Sequence, residues 1–226
     1  MSQYYIQLEN ITINKFRNLL QKAELLPSQQ ILKDGLDASF NAIEKEGIKN
    51  LDQLQSLLKT KAGLAKLAGK TGITEEFLTV LRREVNGYVS KKRKINEFPT
   101  LDEQFINQLE AMNIKDTQQY FNEVFTAADR TALADKIGVG MEPVLELTRL
   151  VDVSRLRYVN QAFATLLVKA GYDCVEKVSR ADPDKLYKDI KKANEENRYY
   201  RGAIGLKDIK YLINDAKELP RARVEY

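Results

Sequence analysis

The feature that most constrains the fold is an internal repeat of 66 residues. Residues 67–73 (Leu-Ala-Gly-Lys-Thr-Gly-Ile) align without gaps on residues 133–139 (Leu-Ala-Asp-Lys-Ile-Gly-Val). The same shift pairs further identical residues: Glu44 with Glu110, Ile48 with Ile114, Lys49 with Lys115, Gln53 with Gln119, Thr60 with Thr126, Ala62 with Ala128, Glu76 with Glu142, Leu81 with Leu147, Arg83 with Arg149 and Val85 with Val151. A third, looser copy begins at residues 170–175, which align with residues 46–51. Because this period is about twice that of common helical repeats, it predicts two helical hairpins per unit.

In both copies the aligned heptapeptide leads into a turn between two segments with helical periodicity. In the second copy this turn is Gly138-Val139-Gly140, and both glycines can adopt a positive φ without a Cβ clash. Val139 can point back between the two helices, and Pro143 suits the first turn of the following helix. The pattern indicates a helix-hairpin-helix, whose outward-facing amide groups can hold a phosphate oxygen.

Apolar residues recur at helical spacing along most of the chain, and no segment shows useful β-alternation. Capping residues mark the expected helix starts. These are Thr12, Asn50, Thr74, Asp116, Cys174, Asp182 and a capping box at residues 100–103. The sequence therefore predicts an all-α fold of tandem helix-hairpin-helix repeats in an elongated helical array. We expect an N-terminal arm with the first unit at residues 1–92, a second unit at 97–153, and a divergent third unit with a C-terminal helix at 154–226.

Composition excludes several classes of catalyst. The 226 residues contain no histidine and one cysteine, which removes the usual base of a nucleophilic triad, an internal disulfide and a cysteine-rich zinc site. No Gly-Lys-Ser/Thr phosphate loop occurs, and Gly138-Val139-Gly140 lacks the third glycine and the preceding strand of a dinucleotide-binding motif. We therefore expect a protein that is not an enzyme and that has no cofactor, no metal and no small-molecule substrate.

The charge and the apolar runs bear on location and partners. No apolar run is long enough to span a bilayer and no signal peptide opens the chain, so we expect a cytoplasmic protein with no membrane partner. The 36 basic and 32 acidic residues give a net charge of +4. Such a mild charge neither requires nor excludes nucleic acid, because a local patch matters more than the total.

The candidate nucleic-acid-binding residues fall on the two hairpins and on one basic run. They are Lys70, Gly72, Lys136, Gly138, Val139, Gly140, Lys91, Lys92, Arg93 and Lys94. Lys70 and Lys136 precede the turn glycine by two residues and could flank a phosphate, or could only interact with the dipole at their own helix C-terminus. The basic run could grip a nucleic-acid backbone or be a solvated linker. The turn glycines could likewise serve the backbone reversal alone.

A mixture of cations and aromatic rings marks the third unit. It comprises Arg155, Arg157, Tyr158, Arg198, Tyr199, Tyr200 and Arg201. This composition is typical of surfaces on which single-stranded nucleic acid stacks, and it is equally common in protein interfaces.

Four groups of residues in the second half of the chain form a recognisable pattern. They are residues 130–134 before Gly138-Val139, residues 154–157, residues 170–173 with 175–178, and residues 181–186. With them, the chain from about residue 105 to residue 219 resembles a bacterial domain family of unknown function that is predicted to carry helix-hairpin-helix repeats. The resemblance implies the helical fold and, by analogy with related hairpins, nucleic-acid binding. The family usually has a glycine-rich hairpin after residues 155–157, where this chain has Tyr158-Val159-Asn160-Gln161, so the resemblance does not extend phosphate binding to that turn.

Two functions remain open on the sequence. The first is a non-enzymatic protein that binds nucleic acid, DNA more than RNA, through the phosphate backbone with little base readout. The second is a helical repeat scaffold that binds a protein partner or assembles through an extended face. The hairpins and the basic run favour the first function, whereas the modest net charge and the missing glycines of the third unit favour the second.

Overall fold

The computed structural model describes residues 3–23, 25, 27–89 and 91–226, and the chain divides into two compact units. The N-terminal unit comprises residues 7–89, and the C-terminal unit comprises residues 90–226 together with residues 1–6. This division differs from the predicted segments. The second and third predicted segments belong to one compact unit, and the N-terminal arm packs with that unit instead of with the first repeat.

The described part of the chain is all-helical, as predicted, and its only β-type pairings are two isolated bridges. The α-helices of the N-terminal unit are α1 (Ile13–Lys22), α2 (Leu36–Lys45), α3 (Leu51–Leu58), α4 (Lys61–Thr71) and α5 (Glu75–Asn86). Those of the C-terminal unit are α6 (Glu103–Ala111), α7 (Thr117–Asn122), α8 (Ala127–Ile137), α9 (Met141–Ser154), α10 (Gln161–Lys169), α11 (Val175–Ser179), α12 (Pro183–Asn197) and α13 (Leu206–Glu218). Short 3-10 helices lie at Leu8–Asn10, Pro27–Leu32 and Ile95–Glu97. None of the described helices is long and apolar enough to cross a membrane.

Helix starts follow the capping residues of the sequence. The side chains of Thr12, Asn50, Thr74, Asp116, Cys174 and Asp182 each accept a hydrogen bond from the backbone N–H three residues later. The predicted capping box at residues 100–103 is wrong by two residues, because α6 begins at Glu103 with Asp102 as its N-cap. The Asp102 carboxylate accepts a hydrogen bond from the N–H of Phe105, and the Phe105 side chain is buried in the core.

The repeat of the sequence is also a repeat of local structure. Helices α4 and α8 begin and end 66 residues apart, and so do the first residues of α3 and α7 and of α5 and α9. Before α3, residues 11–13 pair with residues 49–51 through two backbone hydrogen bonds of 2.9 and 3.1 Å. Before α7, residues 93–95 pair with residues 115–117 through bonds of 2.8 and 3.0 Å. The two copies therefore share their helices and the extended segment that precedes them.

Tyr4 explains why the N-terminal arm belongs to the C-terminal unit. Its side chain is fully buried, and its ring meets that of Phe121 edge-to-face at 5.6 Å. Its hydroxyl shares a 2.7 Å hydrogen bond with the hydroxyl of Thr117 and donates to the carbonyl of Lys91 at 3.2 Å. Burial raises the pKa of Tyr4. The arm is thus held by an aromatic side chain whose polar group is satisfied inside the core.

Candidate nucleic-acid interface

The turn between α8 and α9 is the strongest candidate for a phosphate site. Gly138 follows α8 with φ 70° and ψ 37°, in the left-handed region that favours glycine. Its N–H donates to the carbonyl of Asp135 at 3.3 Å, and the N–H of Val139 donates to the carbonyl of Ala134 at 3.1 Å. This pair of bonds is the Schellman arrangement, which satisfies the last carbonyls of a helix. Val139 is partly buried against the core, as predicted.

Gly140 has a different role from the expected one. Its φ of −68° and ψ of 166° lie in the β region that any residue adopts, so the turn uses the positive φ that glycine allows only at Gly138 and not at Gly140. Gly140 is the N-cap residue of α9, and no side chain in the described part of the chain caps this helix start. Pro143 in the first turn has no N–H. The amide groups of the exposed residues Met141 and Glu142 are consequently open to an external acceptor.

The equivalent turn between α4 and α5 has the same backbone reversal but a closed helix start. Gly72 also lies in the left-handed region, with φ 72°. Thr74 stands where the C-terminal unit has Gly140, and its hydroxyl accepts the N–H of Phe77 at 3.2 Å. The side chain of Thr74 therefore occupies the place in which a phosphate oxygen would bind.

The two lysines that flank these turns also differ. Lys70 Nζ lies 2.6 Å from a carboxylate oxygen of Glu46. The 66-residue shift places Met112 at the position of Glu46, so the second copy has no acid there. Lys136 is exposed, and the ion pairs among the described residues do not include it. Of the two predicted lysines, only Lys136 keeps a charge that no neighbouring carboxylate neutralises.

Acidic residues on either side of the α8–α9 turn reduce its positive potential. Asp135 and Glu142 are both exposed. Glu142 is partly neutralised, because its carboxylate lies 3.3 Å from the guanidinium of Arg149. The turn therefore offers amide donors and one free lysine in surroundings close to neutral.

The basic run at residues 91–94 has a hydrogen-bonded backbone, and its side chains at Lys91, Lys92 and Lys94 are exposed to solvent. Its backbone pairs with the start of α7, and its side chains have separate partners. Lys92 Nζ lies 2.9 Å from the carboxylate of Asp116, and the hydrogen bond that Lys92 donates to it raises the pKa of Lys92. The guanidinium of Arg93 donates to the carbonyl of Val159 at 3.0 Å. Lys94 Nζ lies 3.8 Å from Glu97. Lys91 has an exposed side chain, so the run keeps part of its charge at the surface.

The structure separates the mixture of cations and rings in the third unit. Arg155 and Arg157 are buried, which removes them from any interface with nucleic acid. Arg198 and Arg201 are exposed beyond α12, where Tyr199 and Tyr200 are half-buried. Tyr158 is exposed within the loop that joins α9 to α10. Of this set, Tyr158, Arg198 and Arg201 are the side chains that reach the surface.

Sequence reasoning missed a buried network of arginines and aspartates. The guanidinium of Arg155 is ion-paired with Asp152, and these side chains are 1% and 4% exposed. Asp215 lies between the guanidinium groups of Arg157 and Arg221, at 3.9 and 2.5 Å. The sequence carries one sign that these arginines are buried. Residues 151, 153, 156 and 159 are Val, Val, Leu and Val, so Arg155 and Arg157 lie within an apolar run. The network supports the core instead of a ligand.

The left-handed conformation of Gly138 gives a stability prediction. A Cβ at this position would meet no neighbouring atom, so any penalty arises from the backbone. We expect Gly138→Val to lower the free energy of unfolding by about 1–3 kcal/mol. Gly140→Ser is the control, since φ is ordinary there and serine is a good N-cap, and it should stay within roughly 0.5 kcal/mol of the wild type or exceed it. Equal urea midpoints for the two variants would contradict the strained turn.

The family of the chain follows from its second half. A model of the domain of unknown function DUF4332 matches residues 99–219, more than half of the 226 residues. The chain belongs to this family. The matched segment contains the α8–α9 turn, all of α6 to α13 and the buried network except Arg221, and it excludes the α4–α5 turn. No curated protein and no solved structure matches the chain.

Proposed function

We propose that this chain is a non-enzymatic nucleic-acid-binding protein, and that its α8–α9 turn contacts the phosphate backbone. One observation carries the proposal: the uncapped start of α9 and the unpaired Lys136 flank the same left-handed Gly138. The amide groups at a helix start carry a partial positive charge and point at an approaching anion. Since α9 is 14 residues long, its dipole is fully developed.

The repeat supplies a natural comparison for this proposal. In the α4–α5 turn the hydroxyl of Thr74 caps the helix start, and Lys70 is paired with Glu46. We therefore assign phosphate contact to the α8–α9 turn alone. Because phosphate contacts carry no base information, binding at this turn should be insensitive to sequence.

A scaffold that binds a protein partner is the second candidate function. The exposed carboxylates of Asp135 and Glu142 beside the turn favour it, because they oppose the approach of a polyanion. The mild net charge of +4 points the same way. A titration separates the two functions.

The decisive experiment measures the affinity of the full chain for duplex DNA, single-stranded DNA and RNA over a range of salt concentrations. Lys136→Gln should flatten the log–log salt slope on duplex DNA by about 0.9, which corresponds to one phosphate. Gly140→Thr should weaken binding at an unchanged net charge, because the new hydroxyl can accept the N–H of Glu142 and so compete with a phosphate oxygen. The N–H that Thr74 accepts in the α4–α5 turn belongs to Phe77, and it has no counterpart here because residue 143 is proline. Lys70→Gln is the matched control and should bind like the wild type, since Glu46 already holds that lysine.

Two results would count against the proposal. Wild-type affinity in both Lys136→Gln and Gly140→Thr would show that the turn is not the phosphate site. A wild-type chain that binds no nucleic acid near physiological salt, yet retains a protein partner that survives the lysine change, would replace the proposal by the scaffold function.

A further inference from the structure

Two exposed tyrosines touch each other on the surface of the C-terminal unit. Tyr158 is 68% exposed and Tyr211 is 39% exposed. Their ring centroids are 5.8 Å apart and the ring planes are tilted by 53°. Tyr158 lies in the loop between α9 and α10, and Tyr211 lies on the outer side of α13. Together the two rings place apolar surface side by side at a position open to a ligand.

The backbone at Tyr158 is strained. Its φ is 66°, in the left-handed region where a residue with a Cβ is disfavoured. The exposed ring does not recover this cost through burial. Strained residues other than glycine cluster at binding sites, where the conformation serves to aim a side chain. The strain at Tyr158 therefore points to a use for its ring outside the core.

A buried guanidinium fixes both rings from below. The Cζ atom of Arg157 lies 5.2 Å from the ring centroid of Tyr158 and 5.5 Å from that of Tyr211. Arg157 also donates a 3.1 Å hydrogen bond to the hydroxyl of Tyr158, and Asp215 lies beside its Nε at 3.9 Å. Because the rings are held in place before any ligand arrives, binding costs little side-chain entropy.

The surroundings of the two rings are cationic. The outer side of α13 carries Lys207, Lys210 and Lys217, all exposed. Asp208 on the same helix keeps its negative charge and lies at the helix start, where its carboxylate accepts the N–H of Gly205 at 2.8 Å, so the three lysines outnumber the acidic residues of this face by one. Glu218 is the other acidic residue near the end of this face. A ligand that stacks on the rings would therefore gain from carrying negative charge.

We propose that Tyr158 and Tyr211 form a stacking platform for unpaired bases of single-stranded nucleic acid, with the lysines of α13 beside its phosphates. Every base has a π-face, so such a platform accepts any sequence, whereas the bases of a duplex are stacked on each other and stay out of reach. This inference rests on the proposed nucleic-acid binding. It specifies single-stranded nucleic acid as the ligand and adds a second contact surface to the α8–α9 turn.

The test compares two labelled ligands on the full chain by fluorescence anisotropy. One is an oligothymidylate, and the other is an abasic strand of the same length, which has the same phosphates without bases. Tyr211→Ala should weaken oligothymidylate binding by about 5- to 150-fold, the range for one stacked base, and should leave the abasic strand and duplex DNA unaffected. Tyr211→Phe keeps the ring and should bind like the wild type.

Two further variants separate stacking from folding. Tyr158→Gly removes the ring and relieves the positive φ, so it should lose affinity for oligothymidylate. The relief of backbone strain offsets the loss of the hydrogen bond from Arg157, so the melting temperature should change little. Tyr226→Ala removes another exposed tyrosine of the same unit, 53% exposed over the guanidinium of Arg130, and should retain full affinity.

The outcomes distinguish this inference from the proposed function. The platform would be overturned if the wild type bound the two strands equally well, or if the tyrosine variants bound like the wild type. Either result would leave the effect of Lys136→Gln, and with it the proposed function, untouched. A wild type that binds no nucleic acid would overturn both. Loss of oligothymidylate binding in Tyr211→Ala but not in Lys136→Gln would support the platform and reject the hairpin mechanism. A protein partner lost in Tyr211→Ala at unchanged strand affinity would assign the surface to protein.

Discussion

Replacing Asp215 with alanine should lower the free energy of unfolding by about 3–5 kcal/mol, because it removes a buried carboxylate that lies between two buried guanidinium groups. The carboxylate of Asp215 is 2% exposed, accepts the backbone N–H of Arg157 at 3.1 Å and lies 2.5 Å from the guanidinium of Arg221. Burial lowers the pKa of Arg221, and the charge of Asp215 opposes that shift. Denaturation in urea, followed by far-ultraviolet circular dichroism, measures the loss.

The adjacent residue on α13 provides the control. Asn214 is exposed, and Asn214→Ala should change the free energy of unfolding by no more than roughly 0.5 kcal/mol. If Asp215→Ala costs as little as Asn214→Ala, water reaches the two arginines and the network is not a buried support of the core. The result also bears on the stacking platform, because Asp215 holds the arginine beneath Tyr158 and Tyr211.

The helices of this chain could be predicted because their signals are local. An N-cap such as Asp116 and the buried residues one turn later lie within a few positions of each other, so the sequence displays both. The left-handed Gly138 is a signal of the same kind, since a backbone that reverses after a helix selects glycine. The conformation of Gly140 was not predictable in this way, because a glycine also serves where the missing side chain matters more than φ.

The state of the charged residues could not be predicted, because it depends on partners that are distant in sequence. Lys70 and Lys136 occupy equivalent positions, yet only Lys70 meets a carboxylate, 24 residues away. Arg155 and Arg157 look like the basic half of a nucleic-acid surface until the core closes around them. Tyr211 became part of a candidate site only through its contact with Tyr158, 53 residues away, and no local pattern relates the two.

At the start of α11, the Asp152 side chain takes the place of the extended segment that precedes the equivalent helices α3 and α7. In the first copy the N–H of Leu51, the first residue of α3, donates to the carbonyl of Ile11. In the second copy the N–H of Thr117, the first residue of α7, donates to the carbonyl of Arg93. In the third copy the N–H of Val175 donates to a carboxylate oxygen of Asp152 at 3.0 Å. The same carboxylate pairs with Arg155, whose guanidinium lies 4.5 Å from the ring centroid of Phe121 and donates to the carbonyl of Ala222 at 2.8 Å.

Because of this double role, Asp152→Ala should lower the free energy of unfolding by about 3–5 kcal/mol, with Arg155 left as an uncompensated buried charge. Asp152→Asn combined with Arg155→Met tests that cause, since the amide still accepts the N–H of Val175 while both charges disappear together. We expect the double variant to be more stable than the sum of its single variants implies, by an interaction energy of about 0.5–3 kcal/mol. Thermal and urea denaturation of the four proteins in this cycle measure it. Additive effects would show that Arg155 does not depend on Asp152, and the loss in Asp152→Ala would then have to come from the uncapped start of α11.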